Sequence, residues 1–276
     1  MNKYTIAVCQ MNSQDSKEKN LAFAGQMIDE AAEKSAKLIA FPETMNYMGR
    51  DSRKHAETIP GETTDFLCQK ATEHHMWIVG GSIMELCENE KPKNTLVLID
   101  PNGNIRCKYS KLHMFDVEIE NGPSYYESEM RTAGDEIVLA DTELGVLGFG
   151  ICYDLRFPEM FRLMALKGAQ VIYLPADFTM NTGKDHWEPL LRARAIENGV
   201  YIVAPNQIGT KPTTTAYGKS MVIDPWGNVI ACASDRTGCI FAEIDLDYIT
   251  NVRKQIPSLE NRRTDVYQIH SDSIIL

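Results

Sequence analysis

The stretch GFGICYDLRFPE, residues 148–159, places one cysteine where an apolar run ends and a charged segment begins. The apolar run is typical of a buried strand, whereas Pro158 and Glu159 are typical of the first turn of a helix. Cys152 is therefore predicted at a strand-to-helix elbow. There, nearby N–H groups, chiefly that of Tyr153, can stabilise a negative oxygen. This placement favours a nucleophilic thiol over the inert buried cysteine that is the ordinary role of the residue.

The glycines just before the elbow, in GVLGFG (145–150), superficially match a dinucleotide-binding loop. Their spacing does not fit that loop, and they lie within a predicted strand instead of following one. We therefore predict that they allow close packing of the sheet.

Short runs rich in Val and Ile alternate with longer segments of helical period along the whole chain, which indicates an α/β fold. The predicted strands are YTIAVCQ (4–10), KLIAFPE (37–43), WIVGGSIME (77–85), NTLVLID (94–100), IRCKYSK (105–111), VLGFGIC (146–152), QVIYLPA (170–176), VYIVAPN (200–206), TAYGKSMVID (215–224), NVIACA (228–233) and GCIFAEI (238–244). The predicted helices cover 16–35, 63–74, 157–167 and 186–198.

These elements predict one domain over residues 1–257, an α-β-β-α sandwich of two mixed sheets with helices on the outer faces. Residues 258–276 are polar with little periodicity. We expect them to form a C-terminal arm that packs on a neighbouring surface or subunit.

The composition of the 276-residue chain argues against several classes of protein. A net charge of -10 disfavours a nucleic-acid partner. No apolar run approaches the roughly 18 residues of a membrane span, and the N-terminal segment has no signal-peptide pattern, so a cytoplasmic protein without a membrane partner is expected. The seven cysteines form no C-x-x-C pair and the six histidines no ligand-spaced set, so neither a metal nor another cofactor is predicted.

Two more polar residues follow predicted buried strands. Glu43 comes directly after LIAFP, and Lys111 ends IRCKYSK. Taken singly, each is ordinarily a solvated loop charge, but strand ends of an α/β sheet meet at one crevice. Such a meeting would suit amide hydrolysis, because a thiol such as Cys152 needs a partner that protonates the leaving nitrogen and later deprotonates water.

Five segments of the chain resemble the signature segments of the carbon–nitrogen hydrolase (nitrilase) superfamily, in the right order. They are FPET (41–44), KLHMFD (111–116), GFGICYDLRFPE (148–159), HWEPLLRARAIEN (186–198) and YGKSMVIDPWGNV (217–229). The resemblance extends from residue 4 to about 255. It points to the amidase branch that contains omega-amidase and deaminated-glutathione amidase. Nitrilases usually have Trp-Glu after the cysteine, and Tyr153-Asp154 at that place favours an amide over a nitrile as substrate.

The resemblance implies a catalytic Glu43, Lys111 and Cys152, with the Tyr153 N–H in the oxyanion site. It also implies a second glutamate that steadies the lysine; Glu127 is the candidate and Glu129 its competitor. The implied reaction cleaves the terminal C–N bond of a small linear amide through a thioester and releases ammonia. The expected substrate is an ω-monoamide of the acidic or α-keto acid type. The expected assembly is a homodimer or a higher homo-oligomer.

Three alternatives stay open. The first is hydrolysis of an N-carbamoyl compound by the same three residues, with release of carbon dioxide and ammonia. The second is the glutaminase domain of a synthetase, which would require a fused nucleotide-binding partner. The third is a binding protein that keeps this fold with an idle site.

Asp177 is the candidate specificity residue. It lies in LPADFTMNTG (174–183), where relatives of the resembled family generally have a small residue. Its carboxylate either caps a turn by accepting backbone N–H groups or projects into the pocket, where it would disfavour anionic substrates.

The other polar and aromatic residues near these segments are predicted to have structural roles. A polar network that fixes the elbow is expected from Asp154, Arg156 and Glu159, and bonds to carbonyls or carboxylates between layers from Arg192 and Arg194. Packing roles are expected for Trp187 and Trp226.

Overall fold

Two mixed β-sheets pack face to face and carry helices on their outer faces, which confirms the predicted α/β sandwich. The computed structural model describes residues 2–50, 52–88, 90–120, 123–212 and 214–276, and the side chain of residue 52 is left out. None of the helices in these ranges is both long and apolar enough to span a membrane.

The strands and helices are numbered here in chain order. The strands are β1 (Lys3–Gln10), β2 (Leu38–Ala40), β3 (Trp77–Glu85), β4 (Lys93–Ile99), β5 (Ile105–Ser110), β6 (Asp116–Glu118), β7 (Ser124–Tyr126), β8 (Ile137–Thr142), β9 (Gly145–Phe149), β10 (Val171–Tyr173), β11 (Tyr201–Ala204), β12 (Ile208–Thr210), β13 (Thr215–Tyr217), β14 (Met221–Ile223), β15 (Val229–Cys232), β16 (Gly238–Asp245) and β17 (Ile274–Ile275). The α-helices are α1 (Lys17–Glu33), α2 (Glu62–His74), α3 (Pro158–Leu166), α4 (Met180–Asn198) and α5 (Leu246–Gln255).

The first sheet has the order β16-β1-β2-β3-β4-β5, and the second has the order β15-β14-β11-β10-β9-β8-β17. Central strands of both sheets are parallel. The strands that flank them are antiparallel, except that β17 lies parallel to β8 at one edge of the second sheet. Two small sheets, β6-β7 and β12-β13, complete the topology. In each large sheet the parallel strands therefore end at the same edge, where polar residues can converge.

Strand β1 shows why the sandwich has two cores. Ile6 and Val8 pack into the core between the sheets, whereas Ala7 and Cys9 pack into a second core with α1 and α2. Because side chains alternate along a strand, the continuous apolar run from Ile6 to Cys9 gives β1 an apolar residue on both faces of the first sheet. Helices α3 and α4 cover the second sheet in the same way.

Helix boundaries follow the expected local chemistry. Ser16 caps α1, since its hydroxyl accepts from the N–H of Lys19 at 3.4 Å, and Pro158 occupies the first turn of α3. Helix α4 begins at Met180, six residues before the predicted start at His186. The HWEPLLRARAIEN pattern therefore located the helix but missed its first turns.

The predicted strand 215–224 is wrong, because the chain divides it between two sheets. β13 ends at Tyr217 and β14 begins at Met221. Gly218 and Lys219 between them have φ angles of 75° and 58°, which no regular strand accommodates. Strands predicted at 37–43, 146–152 and 170–176 exist but are shorter, since β2, β9 and β10 end before the polar residues that follow them.

Several elements were not predicted from the sequence. They are the hairpin β6-β7, strands β8, β12 and β17, and helix α5, and none of these elements is longer than ten residues. Within the segment 258–276, β17 pairs in parallel with β8, with Ile274 opposite Ile137. This pairing covers one edge of the second sheet with residues from the C-terminal segment.

Two packing predictions have different outcomes. A Cβ atom on Gly148 would lie 2.8 Å from Sδ of Met164, so the glycine permits close packing of β9 against α3, as predicted. Trp187 is fully buried and its Nε1 donates to the carbonyl of Lys219 at 2.8 Å. The predicted packing role of Trp226 is wrong, because this residue lies in the turn after β14 with 46% of its surface exposed.

Candidate active site

Cys152 lies between the end of β9 and the start of α3, in a short 3-10 turn over Cys152–Arg156. Its φ is 49°, a left-handed conformation that a non-glycine residue adopts only when its surroundings hold it there. The N–H of Cys152 donates to the carbonyl of Pro175 at 2.8 Å. The N–H of Tyr153 belongs to the first turn, where backbone donors have no acceptor within the turn itself.

Asp154 holds the elbow together from inside. Its Oδ2 accepts from the N–H of Ile151 at 2.8 Å and from the hydroxyl of Tyr109 at 2.6 Å. Its Oδ1 accepts from the N–H of His113 at 3.0 Å and lies 2.8 Å from Nδ1 of the same ring. This fully buried carboxylate therefore ties the elbow to the KLHMFD segment, as the predicted network requires.

The other two residues expected in that network are not part of it. Glu159 is exposed on the first turn of α3. Arg156 ends the 3-10 turn, and its guanidinium lies 5.9 Å and 5.4 Å from the ring centroids of Tyr153 and Phe178 at the pocket wall. The prediction for Arg156 is wrong because the sequence does not reveal the 3-10 turn that directs this side chain toward the pocket. The prediction for Glu159 is wrong because the residue lies on the exposed side of α3.

Two arginines of α4 bond to carbonyls, as predicted. Arg194 donates from Nε and Nη2 to the carbonyl of Leu155, at 3.0 Å and 2.8 Å, and Arg192 donates from Nε to that of Gly227 at 2.8 Å. The first of these contacts anchors the 3-10 turn to the helix that packs on it.

Lys111 lies directly after β5 and is 2% exposed. Its Nζ is 2.7 Å from Oε2 of Glu127 and 3.3 Å from Oε1 of Glu43. Glu127 follows the hairpin β6-β7 and also accepts from the N–H of Phe115 at 2.8 Å and from the guanidinium of Arg131. Glu129 is exposed, so Glu127 is the glutamate that contacts the lysine.

Glu43 lies three residues beyond the end of β2 and is buried. Its Oε1 accepts from Nδ2 of Asn94 at 2.7 Å, and its Oε2 accepts from the N–H of Asp177 at 2.8 Å. The backbone carbonyl of Glu43 accepts from Nε2 of Gln207 at 2.9 Å. Two donors from different parts of the chain therefore orient the carboxylate, and Gln207 fixes the backbone that carries it.

The charges in this cluster shift one another's pKa values. Burial would lower the pKa of Lys111, but Glu127 and Glu43 outweigh it and raise that pKa. Burial would raise the pKa of Glu127, but Lys111 and Arg131 lower it to about 2. Burial and the charge of Glu43 raise the pKa of the Cys152 thiol well above its usual range, and Lys111 offsets only part of this. The resting cysteine is therefore a thiol beside a fixed ion-pair cluster.

A pocket brings Glu43, Lys111, Glu127, Cys152 and Asp177 to one place, as predicted for the three strand ends. Aromatic side chains form much of its wall: Tyr47, Phe115, Tyr125, Tyr153 and Phe178. Arginines also line it: Arg50, Arg131 and Arg156. The site combines a thiol, a carboxylate and an ammonium group with an apolar wall and cationic groups, a combination suited to a small polar amide.

The first of the two alternatives for Asp177 is wrong, since its side chain caps no turn among the described residues. Oδ1 of Asp177 is buried without a hydrogen-bond partner there, and the residue lines the pocket. Burial and the charge of Glu43 raise the pKa of Asp177 to about 6.

Sequence reasoning missed two contacts in this site. Asn94 contacts Glu43, and Arg131 contacts Glu127 from one helical turn further along the chain. Asn94 is a polar residue at the start of the apolar strand NTLVLID, and this position was a usable signal. The four-residue spacing of Glu127 and Arg131 was a usable signal for the second contact.

One group of possible metal ligands occurs in the described ranges, away from the pocket. It consists of Asp29, Glu73 and His74. Nζ of Lys70 lies 2.8 Å from Asp29 and 3.1 Å from Glu73, so ion pairs with this lysine account for the cluster without a metal.

The fold and the site together define a hydrolase of carbon–nitrogen bonds. The family model described as carbon-nitrogen hydrolase matches residues 5–254, and the chain belongs to this family. The solved structure of the Caenorhabditis elegans NitFhit protein superposes with a TM-score of 0.94 at 41% identity, over 99% of this chain and 68% of that one.

Curated relatives extend this finding. The chain is 40% identical over 275 residues to the nitrilase and fragile histidine triad fusion protein NitFhit of C. elegans, covering 97% of this chain and 62% of the relative. It is 40% identical to a deaminated glutathione amidase of Synechocystis, covering 95% and 99% of the two chains. It is 38% identical to omega-amidase NIT2 of Xenopus tropicalis, covering 98% of each. The chain thus spans under two thirds of the fusion protein but nearly all of the two amidases.

Proposed function

We propose that this enzyme hydrolyses the terminal amide of a small linear ω-monoamide through a thioester on Cys152. The observation that carries the proposal is the buried Lys111, held between Glu43 and Glu127 at the pocket that Cys152 lines. The names of the Synechocystis and Xenopus relatives, both amidases, support the same reaction class.

The first half-reaction forms the thioester. Glu43 takes the thiol proton as the sulfur attacks the amide carbon, because the raised pKa of Cys152 leaves the resting group protonated. The ammonium group of Lys111 and the N–H of Tyr153 stabilise the oxyanion that forms. The C–N bond then breaks, and the proton held by Glu43 passes to the nitrogen, which leaves as ammonia.

The second half-reaction returns the enzyme to its resting state. Glu43 takes a proton from water, and the hydroxide attacks the thioester carbon. The tetrahedral intermediate collapses to a carboxylic acid, and the departing sulfur regains its proton from Glu43. The sum is an amide and water converted to an acid and ammonia. Throughout, Glu127 keeps Lys111 charged and in place.

A carboxylate at the far end of the substrate matches the cationic part of the pocket. Arg156 packs on the Tyr153 and Phe178 rings and lines the pocket as a half-buried guanidinium. A guanidinium held on aromatic faces is well suited to bind a carboxylate. We therefore propose that the substrate is a monoamide with a free carboxylate at its far end, of the acidic or α-keto acid type. We also propose that the enzyme is a cytoplasmic homodimer or larger homo-oligomer and needs no cofactor.

The test measures ammonia release from short monoamides, N-carbamoyl acids and nitriles by the wild type, Cys152→Ala and Cys232→Ala. We expect Cys152→Ala to lower kcat at least about a thousandfold, since nucleophile and proton transfer are lost together. The exposed Cys232 serves as the matched control and should keep most activity. Retention of more than a few per cent by Cys152→Ala would overturn the mechanism. Release of carbon dioxide with ammonia would assign the N-carbamoyl reaction, and no turnover of any compound would favour an idle binding protein.

A further inference from the structure

Asp177 is the acidic residue of the pocket that the proposed reaction does not use. It follows the end of β10 by four residues, and its N–H supports Glu43. Its carboxyl group lines the pocket, and Oδ1 is buried without a hydrogen-bond partner in the part of the chain that the structure describes. A buried acceptor without a hydrogen bond lowers the stability of the folded protein unless a bound molecule donates to it.

The neighbouring cations are already engaged elsewhere. The ammonium group of Lys211 donates to Oδ1 of Asn12, the carbonyl of Ser13 and Oε1 of Gln207, at 2.9 to 3.0 Å. These three acceptors match the three N–H bonds of a lysine ammonium group, so no proton is left for Asp177.

The cations near the thiol do not donate a hydrogen bond to Asp177 either. Arg131 contacts Glu127, and Lys111 contacts Glu127 and Glu43. Three cations, Lys211, Arg131 and Lys111, therefore act on Asp177 by charge, but none of them donates a hydrogen bond to it. Burial and the charge of Glu43 outweigh these cations and raise the pKa of Asp177, so its carboxylate lacks a donor and its charge is incompletely offset.

We propose that Asp177 accepts a hydrogen bond from a protonated amine on the substrate, so that the enzyme selects amine-bearing monoamides. This inference rests on the proposed function for the reaction and for the far carboxylate, and it replaces the α-keto group proposed there with an amino group. An ammonium group supplies the missing donor and adds a positive charge in direct contact with the carboxylate. A keto oxygen at the same place would face the carboxylate with lone pairs only, and repulsion would weaken binding.

The charge distribution of the pocket sets the orientation of such a substrate. The amide lies at Cys152, the ammonium group lies toward Asp177, and a far carboxylate lies toward Arg156. A dipolar molecule with one ammonium group and one carboxylate pairs with Asp177 and with Arg156 at the same time. Among short acidic monoamides, those with an amino group are therefore the best match.

The experiment uses three five-carbon monoamides that differ only at the carbon next to the free carboxylate, which is CH2, C=O or CH-NH3+. The kcat/KM for each is measured with the wild type, Asp177→Asn and Asp177→Ala. Asp185→Asn is the matched control, because it removes the same charge from an exposed position on α4. Binding of each compound to the Cys152→Ala protein is measured by calorimetry, so that recognition is also read without turnover.

We expect the wild type to prefer the amine over the keto compound at least about tenfold, through KM, and the Asp177 variants to lose that preference. Asp185→Asn should keep it. Equal or weaker binding of the amine compound to the Cys152→Ala protein, or an unchanged preference in both Asp177 variants, would overturn the inference. Either result could occur while the CH2 compound is still hydrolysed. Failure of the proposed function would instead show as no ammonia from any of the three, and the binding data would still decide the role of Asp177.

Discussion

Nζ of Lys111 lies 2.7 Å from Oε2 of Glu127, and both side chains are buried. A buried ion pair is weak evidence for stability, because removal of two charges from water costs about as much as their attraction returns. Breaking such a pair is costly, since it leaves one charge buried alone. Here Glu127 also bonds Arg131 and the N–H of Phe115, so one carboxylate orders three groups around the pocket.

Glu127→Gln should therefore lower both activity and stability. The amide leaves Arg131 without its ion-pair partner and leaves Lys111 with only the more distant Glu43. We therefore expect kcat to fall about a hundredfold and the free energy of unfolding at pH 7 to fall by about 3 kcal/mol. Glu129→Gln, at the exposed neighbouring glutamate, is the control and should change neither quantity. Steady-state kinetics and urea unfolding measure both. Equal effects of the two substitutions would exclude the assigned role of Glu127.

The stability that Glu127 contributes through this contact with Lys111 depends on pH in a definite direction. The pKa of Glu127 falls from 4.5 to about 2 on folding, so the folded state binds this proton less tightly than the unfolded chain. Its contribution to stability is fully present above pH 4.5 and is lost as the pH falls from 4.5 toward 2. The wild type should thus lose more stability than Glu127→Gln over this interval, measured as unfolding free energy against pH.

Asp177 should show the opposite dependence. Its pKa rises from 3.8 to about 6 on folding, so the folded state binds this proton more tightly and loses stability as the pH rises from 3.8 to 6. Asp177→Asn should be more stable than the wild type above pH 6, by about 1 to 3 kcal/mol, and equal to it near pH 4. Urea unfolding at a series of pH values measures the difference. A less stable variant at pH 7 would show that the carboxylate has a stabilising partner.

Glu43 and Lys111 should act as a unit with Cys152. Each single loss, in Glu43→Gln or Lys111→Ala, disables the same proton transfer and oxyanion stabilisation, so the second loss adds little. We expect the double variant to be about as slow as the slower single variant. A double-variant loss in kcat/KM equal to the product of the single losses would show that the residues act independently.

Gly81 permits the close approach that places Glu43. A Cβ atom there would lie 2.0 Å from the carbonyl oxygen of Pro42 and 2.4 Å from that of Phe41, and backbone atoms cannot yield as a flexible side chain can. Gly81→Ala should destabilise the fold by about 2 kcal/mol or more and reduce kcat by displacing Glu43. Gly25→Ala in α1 serves as control, because the added Cβ would meet only side-chain atoms, of Phe66 at 3.3 Å and of Lys70 at 3.9 Å. A Tm for Gly81→Ala within 2 °C of the control would contradict this role.

The sequence contained enough to predict the sandwich and the meeting of three polar residues. Alternating Val/Ile-rich runs and helical segments predict an α/β sandwich because hydrophobic period and element length are local properties. Glu43, Lys111 and Cys152 follow buried strands, and topology brings the ends of such strands together. The elements missed are short: β8 has six residues and α5 has ten. Helix α5 nevertheless has an Asp245 cap and an apolar face with Ile249 and Val252, which were usable signals.

Only the tertiary structure decided which charges touch. Whether Arg156 joins the Asp154 network or the pocket wall depends on a 3-10 turn and on rings contributed by Tyr153 and Phe178. Oδ1 of Asp177 has no hydrogen-bond partner among the described residues, although Lys211 lies nearby. The ammonium group of Lys211 instead donates to acceptors that include Asn12 and Ser13, about 200 positions away in the chain. Contacts of this kind depend on distances between residues remote in sequence, and local periodicity contains no information about those distances.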